Sequence, residues 1–239
     1  MRCLHRAADP VLPEQMPIRL LEDFAAVIAG LKAAGYYIPL GMEKLIARGR
    51  PREFDMDEAL AMALRVFWTK GYEGASLSDL TAEMGITRPS LYAAFGNKEE
   101  LFKQALDLYE REKLAYVRSA LEAPTARAVA QRMLDGTIQN STSECRGCLG
   151  VIASVSCGNQ DSPIRQDIGV RAQSARNALV ERMHRAIDDG DFTIPVEAEA
   201  MTRYLFALLQ GIAVQAGAGA TREDLRLVAD AALAVWPGR

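Results

Sequence analysis

The stretch SLSDLTAEMGITRPSLYAAFG, residues 76–96, contains two helix starts separated by a single glycine turn. Ser76 and Asp79 form a capping-box pattern, in which each side chain satisfies an unpaired amide of the first helical turn. Gly85 supplies the left-handed residue that ends this first helix, and Thr87 caps a second helix that closes at the next glycine. The stretch therefore predicts two short helices joined by a tight turn, a helix-turn-helix.

Apolar residues along the rest of the chain recur with a helical period, and almost none of the sequence alternates with period two. Between residues 55 and 70, apolar positions fall at i, i+3, i+4, i+7 and i+8. Further capping patterns stand at Asp55/Glu58, Asn97/Glu100 and Thr221/Asp224. We therefore predict an all-α fold, with further helices over 55–70, 97–122, 126–141, 146–157, 163–189, 196–217 and 221–236.

Composition limits the partners that such a chain can have. The 239 residues are 49% hydrophobic and 25% charged, which is enough apolar material for a well-buried core. The net charge of -3 means that a nucleic acid has to be met by a local basic patch. No apolar run approaches the roughly 20 residues that span a bilayer, and the first residues lack a secretory signal. We expect a cytoplasmic protein without a membrane partner, whose four cysteines are reduced.

The second short helix of the helix-turn-helix separates an apolar face from a polar one. Leu91, Ala94 and Phe95 share the face that packs inward. The outward face carries Arg88, Pro89, Ser90, Tyr92 and Ala93. A helix of this length fits the major groove, where Arg reads guanine and Ser bonds either base type. The following helix begins with Lys98, whose ammonium adds to the amide dipoles that hold a phosphate.

The segment GYEGASLSDLTAEMGITRPSLYAAFGNKEELF closely resembles the DNA-binding domain of the TetR/AcrR family of bacterial transcriptional repressors. The resemblance covers about residues 48–106 and rests on Gly85, Thr87, Leu91, Tyr92, Phe95, Lys98 and Leu101. Ser76 stands where the family usually has Thr, and Thr81 where it usually has Ala. The resemblance implies phosphate contacts from Thr87, Tyr92 and Lys98, and base-edge contacts from Arg88, Pro89 and Ser90.

Three arginines, Arg48, Arg50 and Arg52, precede the first helix of this domain. Such an arm can enter the minor groove or neutralise phosphates. A solvated charge run is the alternative interpretation. The position of the arginines directly before a helix-turn-helix domain favours the DNA-binding arm.

The chain divides on this basis into three parts. Residues 1–47 form an N-terminal extension, residues 48–103 the helix-turn-helix DNA-binding domain, and residues 104–239 a helical effector-binding and dimerisation domain. Apolar residues within the extension keep helical spacing and fit an extra docked helix. The alternative, which we favour, is that translation begins at Met42 and that residues 1–41 are an artefact of an early start codon.

The last two predicted helices, 196–217 and 221–236, carry apolar stripes too wide for one neighbour. Two such helices from each subunit would form a four-helix interface across a two-fold axis. A homodimer also suits a protein with one short DNA-reading helix per subunit. Its two helices bind two half-sites about one DNA turn apart, and their binding energies combine. We therefore expect a double-stranded, pseudo-palindromic operator.

Cys145, Cys148 and Cys157 lie close together in the sequence and allow three interpretations. A structural zinc site needs four ligands, and only His184 is left as a fourth, so we predict no metal and no cofactor. A thiol switch is the second, because Arg146 beside Cys145 would lower the pKa of the thiol. The third and favoured interpretation is that Cys148 and Cys157 are small apolar fillers of a buried helix.

The resemblance further implies a repressor that a small-molecule effector releases from DNA, by tilting the helix that begins at Asn97. Expected residues of the effector pocket are Tyr109, Tyr116, Met133, Met183 and Phe206. The alternative is a redox-sensing regulator that uses the three cysteines. We do not expect an enzyme, because the sequence shows no convergent nucleophile, base and orienting group. A pure protein-interaction bundle leaves the arginine arm, Arg88 and Tyr92 without a role.

Overall fold

The computed structural model describes residues 54–156 and 163–239. Regular structure in these residues is helical, apart from an isolated antiparallel bridge between Phe192 and Gly238. The helices are α1 (Met56–Gly74), α2 (Leu77–Met84), α3 (Arg88–Phe95), α4 (Lys98–Lys113), α5 (Ala115–Leu121), α6 (Ala126–Ser141), α7 (Leu149–Ser156), α8 (Pro163–Asp188), α9 (Ala198–Gly217) and α10 (Arg222–Ala234). The all-α prediction is confirmed, and none of these helices is long and apolar enough to cross a membrane.

The predicted capping residues begin the helices that they were expected to begin. Ser76, Asn97 and Thr221 each form a complete capping box at the start of α2, α4 and α10. At α1, a carboxylate oxygen of Asp55 accepts hydrogen bonds from the amides of Asp57 and Glu58, at 2.8 and 3.1 Å. These bonds satisfy first-turn amides that have no partner inside a helix, and so fix where each helix begins.

Three predicted helices differ from the observed ones. The helix predicted over 55–70 continues as α1 to Gly74, although Gly71, with a φ of 70°, interrupts its helical geometry. The helix predicted over 97–122 is interrupted at Leu114, whose amide donates to the carbonyl of Tyr109 in a wider turn than that of an α-helix. The helix predicted over 146–157 begins only at Leu149, because Gly147 has a φ of 87°. A left-handed residue at that position interrupts the helical hydrogen-bond ladder.

The first core holds α1 to α4 together. Phe67 of α1 meets Phe102 of α4 edge to face, with ring centroids 4.9 Å apart. Leu80 of α2 and Leu91 of α3 are fully buried in the same core. Leu149 of α7 joins them, so the core that supports the helix-turn-helix extends beyond the residues of the predicted DNA-binding domain.

The second core consists of α5, α6, α9, α10 and the C-terminal part of α8. Leu134 and Ile138 of α6 pack there with Leu205 of α9 and Leu225 of α10. Met183 of α8 is also fully buried in it. The predicted boundary after residue 103 falls inside α4, which therefore belongs to both predicted domains.

Candidate nucleic-acid interface and ligand cavity

Gly85 makes the turn between α2 and α3. Its φ of 64° is left-handed, and the amide of the next residue, Ile86, donates to the carbonyl of Thr81 at 3.2 Å. This closure satisfies a carbonyl at the end of α2 and reverses the chain within two residues. A residue with a Cβ is strained at this φ, which explains the glycine.

The polar face of α3 lies in solvent, as predicted. Thr87 accepts a hydrogen bond from the amide of Ser90 at 3.3 Å and so caps α3. Arg88 and Pro89 are exposed and Ser90 is half-buried, while 49% of the Tyr92 side chain is accessible. The predicted inward residues Leu91 and Phe95 are buried, and Ala94 is partly buried. α3 is thus a two-turn helix whose apolar face packs into the first core and whose polar face is exposed to solvent.

Arg88 is held by a partner that sequence analysis missed. Its Nη2 donates to Ser78 Oγ of α2 at 2.7 Å. The bond places the guanidinium at the exposed junction of α2 and α3. No sequence signal marks Ser78 as this partner, because the two residues are brought together only when α2 and α3 cross.

Lys98 stands at the first position of α4, as predicted, and its ammonium lies 4.5 Å from the centre of the Tyr72 ring. Partial burial lowers the pKa of this ammonium. The ring face attracts the cation and restricts its side chain beside the positive end of the helix. Tyr72 is thus a second residue of this surface that sequence analysis missed.

Asp79 joins α1 and α2 beneath this surface. One of its oxygens accepts from Lys70 Nζ at 2.6 Å, and the other accepts from the Ser76 amide and hydroxyl. The Lys70 ammonium first, and then Ser76, hold the pKa of this carboxyl well below its usual range. Because folding lowers the pKa, the carboxylate stabilises the fold at neutral pH, and protonation removes that contribution.

We expect Asp79→Asn to lower the unfolding free energy at neutral pH. The difference from the parent protein should persist down to about pH 5 and then shrink below about pH 4, as the parent carboxyl gains its proton. Urea unfolding over this pH range measures it. A difference that stays constant down to pH 2 would contradict the linkage, and Lys70→Met should reduce the pH dependence, since it removes the largest cause of the shift.

A cavity of about 430 Å³ lies among α4, α5, α6, α7, α8 and α9. Four of the five predicted pocket residues line it, namely Tyr109, Tyr116, Met133 and Phe206, and Cys148 of the predicted cysteine set lines it as well. Met183 does not, because its side chain is taken up by the second core. Cys145 is also outside the lining.

Two hydroxyl groups of the cavity wall take part in short hydrogen-bonded chains. Asn140 Nδ2 donates to Tyr109 Oη at 2.9 Å, and Tyr109 Oη donates to Cys148 Sγ at 3.4 Å. Tyr116 Oη lies 3.0 Å from Thr137 Oγ1. Burial raises the pKa of both tyrosines, to about 12 for Tyr116, so both are neutral phenols at physiological pH.

The cysteine surroundings differ from the expectation. Cys145 and Cys148 are half-buried and unbridged, and Cys148 precedes α7 instead of lying on it. Burial raises the pKa of the Cys145 thiol, against smaller lowering effects of Thr69, Arg65 and Lys113. The prediction that Arg146 lowers this pKa is wrong, because the Arg146 guanidinium instead donates to the carbonyl of Ala220 at 3.3 Å.

Three sets of predicted residues remain outside the described part of the chain: the N-terminal extension, the arginine arm (Arg48, Arg50 and Arg52) and Cys157. Within the described part, no group of three or more His, Cys, Asp or Glu side chains is placed to hold a metal ion. His184 is exposed on α8.

Residues 142–148, here named the linking segment, connect the cavity with α1. Trp68 Nε1 of α1 donates to the carbonyl of Gly147 at 3.2 Å. The Trp68 ring also meets the Tyr109 ring edge to face, with centroids 4.8 Å apart. On the side of α9, a Cβ on Gly147 would come within 3.3 Å of the Ala213 carbonyl oxygen, so the segment passes close to that helix.

We expect Trp68→Phe to lower the unfolding free energy by about 1–3 kcal/mol more than Trp236→Phe. Both indoles are buried, but Trp236 Nε1 has no hydrogen-bond partner in the described structure, whereas Trp68 Nε1 bonds Gly147. Trp68→Phe alone leaves a carbonyl unsatisfied. Urea unfolding of the two variants provides the comparison, and equal losses would show that the Trp68 bond does not hold the linking segment.

The exposed polar helix after a tight turn, with a lysine at the start of the next helix, defines a helix-turn-helix unit of a nucleic-acid-binding protein. The family model for bacterial regulatory proteins of the tetR family matches residues 59–105. The HTH-type transcriptional repressor ComR of Escherichia coli (strain K12) is 30% identical over 200 residues, which are 80% of this chain and 93% of ComR.

Solved structures show the same relationship. CifR, a TetR family transcriptional regulator solved as a cysteine mutant with 26-bp double-strand operator DNA, is 41% identical. Its TM-score is 0.74, over 79% of this chain and 100% of that one. A TetR regulator from Rhodococcus sp. RHA1 is 36% identical, with a TM-score of 0.54, over 77% of this chain and 100% of that one. The chain belongs to the TetR family of bacterial regulatory proteins.

Proposed function

We propose that this protein is a cytoplasmic repressor that binds a pseudo-palindromic operator as a homodimer and releases it when a small molecule occupies the cavity. The observation that carries the proposal is the open polar face of α3, which the first core holds in place. The complex of the 41% identical CifR with operator DNA supports operator binding.

In the proposed complex α3 lies in the major groove. Arg88 exchanges Ser78 for a guanine, and Pro89 and Ser90 lie against neighbouring base edges. Thr87, Tyr92 and Lys98 contact phosphates on either side. The arginine arm adds salt-sensitive affinity in the minor groove or along the backbone.

The proposed dimer uses α9 and α10, but not the whole of the predicted stripes. Met201, Leu205, Ile212 and Ala216 of α9 pack inside the chain, in the second core. Apolar side chains that remain in solvent on these helices are Tyr204, Val214 and Leu227, at 39%, 56% and 70% exposure. A two-fold dimer through α9 and α10 would cover these side chains in both subunits.

Effector binding has two physical routes to the DNA-binding helices. α4 carries Lys98 at one end and Tyr109 in the cavity wall near the other. α4 ends at Lys113, so the helix that connects the cavity with the DNA-binding helices is shorter than the predicted helix of 97–122. The second route is the linking segment, because Cys148 lines the cavity and Gly147 accepts the bond from Trp68. A ligand that favours another position of either element shifts the population away from the DNA-binding state.

Selection from a library of random duplex DNA tests the proposal without knowledge of the operator. The purified full chain should enrich a sequence with two inverted half-sites about one helical turn apart. Enrichment of single half-sites would contradict the dimer, and no enrichment at low salt would overturn the DNA-binding proposal.

The redox alternative, with Cys145, Cys148 and Cys157 as sensor residues, is tested in the same selection. Its support is the position of Cys148 in the cavity wall beside Tyr109. The raised pKa of Cys145 weighs against it, since the thiolate is the reactive form. A parallel sample treated with peroxide should bind as tightly as the reduced one if a small molecule is the effector, and loss of binding that a thiol reductant restores would favour the sensor.

A further inference from the structure

The charged groups of the cavity wall are confined to two helices. Within the described lining they are Glu110 of α4 and three arginines of α8, Arg165, Arg171 and Arg176. Arg171 is ion-paired with Asp107 at 2.7 Å, Glu110 at 3.0 Å and Asp167 at 2.8 Å. Arg176 Nη2 donates to the side-chain oxygen of Gln173 at 3.0 Å. Arg171 and Glu110 therefore neutralise each other within the protein and are not left for a ligand.

The wall formed by α5, α6 and α9 carries no charge in the described lining. Its apolar part includes Met133 and Phe206, and its polar part includes Tyr116, Thr137 and Asn140. The raised pKa of Tyr116, about 12, has burial as its largest cause and marks a poorly hydrated environment. A charged ligand group in contact with this wall loses its hydration without gaining a counter-ion, which is strongly unfavourable.

The same wall has hydrogen-bonding capacity that the protein does not use. Tyr116 and Thr137 have two hydroxyl protons but share a single hydrogen bond, so one O–H of the pair remains for another acceptor. An unsatisfied buried hydroxyl is unfavourable, and a ligand oxygen that accepts from this O–H gains affinity.

Gly136 sets the position of the Tyr116 ring. A Cβ at Gly136 would lie 2.1 Å from Tyr116 Cδ2, closer than any real contact. The ring therefore rests directly against the backbone of α6, which holds its hydroxyl beside Thr137 Oγ1. Any larger residue at position 136 has to displace the ring.

We infer that the cavity takes an uncharged, mainly apolar molecule with one hydrogen-bonding oxygen, and that this oxygen pairs with the Tyr116–Thr137 hydroxyls. This inference rests on the proposed function in treating the cavity as the effector site. It adds the chemical class of the ligand and assigns the residues that recognise its polar group.

Matched eight-carbon probes test the ligand class by isothermal titration calorimetry of the full chain at neutral pH. The probes are 1-octanol, octanoate and octylamine, which differ in the charge of one end. We expect 1-octanol to bind at least about tenfold more tightly than either charged probe, because the head group that reaches the Tyr116–Thr137 hydroxyls meets no counter-ion on that wall. Tighter binding of octanoate or of octylamine would overturn the inference, and so would the absence of binding by all three.

Variants of the wall test where the oxygen lies. Tyr116→Phe keeps the ring and removes its hydroxyl, and should weaken 1-octanol binding about two- to tenfold. Gly136→Ala should weaken it further by displacing the ring, while Ile194→Ala, in an exposed loop outside the lining, should leave it unchanged. Equal affinity of Tyr116→Phe and the parent would place the oxygen elsewhere and contradict the assignment.

These outcomes are separable from a failure of the proposed function. Operator selection reports DNA binding without any ligand, so it stands whatever the probes do. Conversely, the protein could prefer 1-octanol as expected and yet enrich no DNA sequence. That result would support the inferred ligand class and contradict the proposed repressor function.

Discussion

An Arg88→Ala dimer should bind its operator about 2–6 kcal/mol more weakly than the parent, because each subunit loses a base contact worth about 1–3 kcal/mol. Arg88 is exposed at the first position of α3, and its guanidinium needs to exchange only the Ser78 hydroxyl for a base. The variant should also tolerate more bases at one position of each half-site. Fluorescence anisotropy with the selected operator and with single-base variants of it measures both effects.

The controls separate a base contact from other roles of Arg88. Arg185→Ala changes an exposed arginine of α8, and should leave operator affinity unchanged. Ser78→Ala removes the partner of Arg88 in the unbound protein, and should have a much smaller effect than Arg88→Ala. A loss that is uniform across all DNA sequences, with a lower salt dependence, would instead identify Arg88 as a phosphate contact and contradict base reading.

The helix-turn-helix was predictable because its signals are local. Ser76, Gly85 and Thr87 act on amides and carbonyls within four residues of themselves, so the bounds of α2 and α3 follow from the sequence to within a residue. The inward position of Leu91 follows from helical period in the same way. These predictions are correct because each capping residue bonds a backbone group only a few residues away in the sequence.

The partners that complete the surface and the cavity were not predictable, since they come together only through tertiary packing. Nothing in the sequence pairs Arg88 with Ser78, and Arg146, which is adjacent to Cys145 in the sequence, bonds a different part of the chain. The break at Leu114 has neither proline nor glycine to announce it. Met183 was predicted as a pocket residue, yet its side chain is fully buried in the second core.

Val214→Glu should abolish operator binding through loss of the proposed dimer. Val214 is 56% exposed on α9, and a two-fold interface would bury both copies of the new carboxylate close to each other. Burial of an unpaired charge in each subunit costs several kcal/mol, which should weaken association strongly. A monomer then binds with one reading helix only. Sedimentation equilibrium gives the association state, and anisotropy with the selected operator gives the affinity.

Val170→Glu provides the matched control, because Val170 is 69% exposed on α8, a helix outside the proposed interface, and takes the same added charge. This variant should remain a dimer and bind the operator as the parent does. Unfolding of both variants in urea checks that each chain keeps its fold, since Val214 and Val170 make little contact with either core. A dimeric Val214→Glu protein with parental operator affinity would remove Val214 from the interface, and a monomeric parent would contradict the homodimer itself.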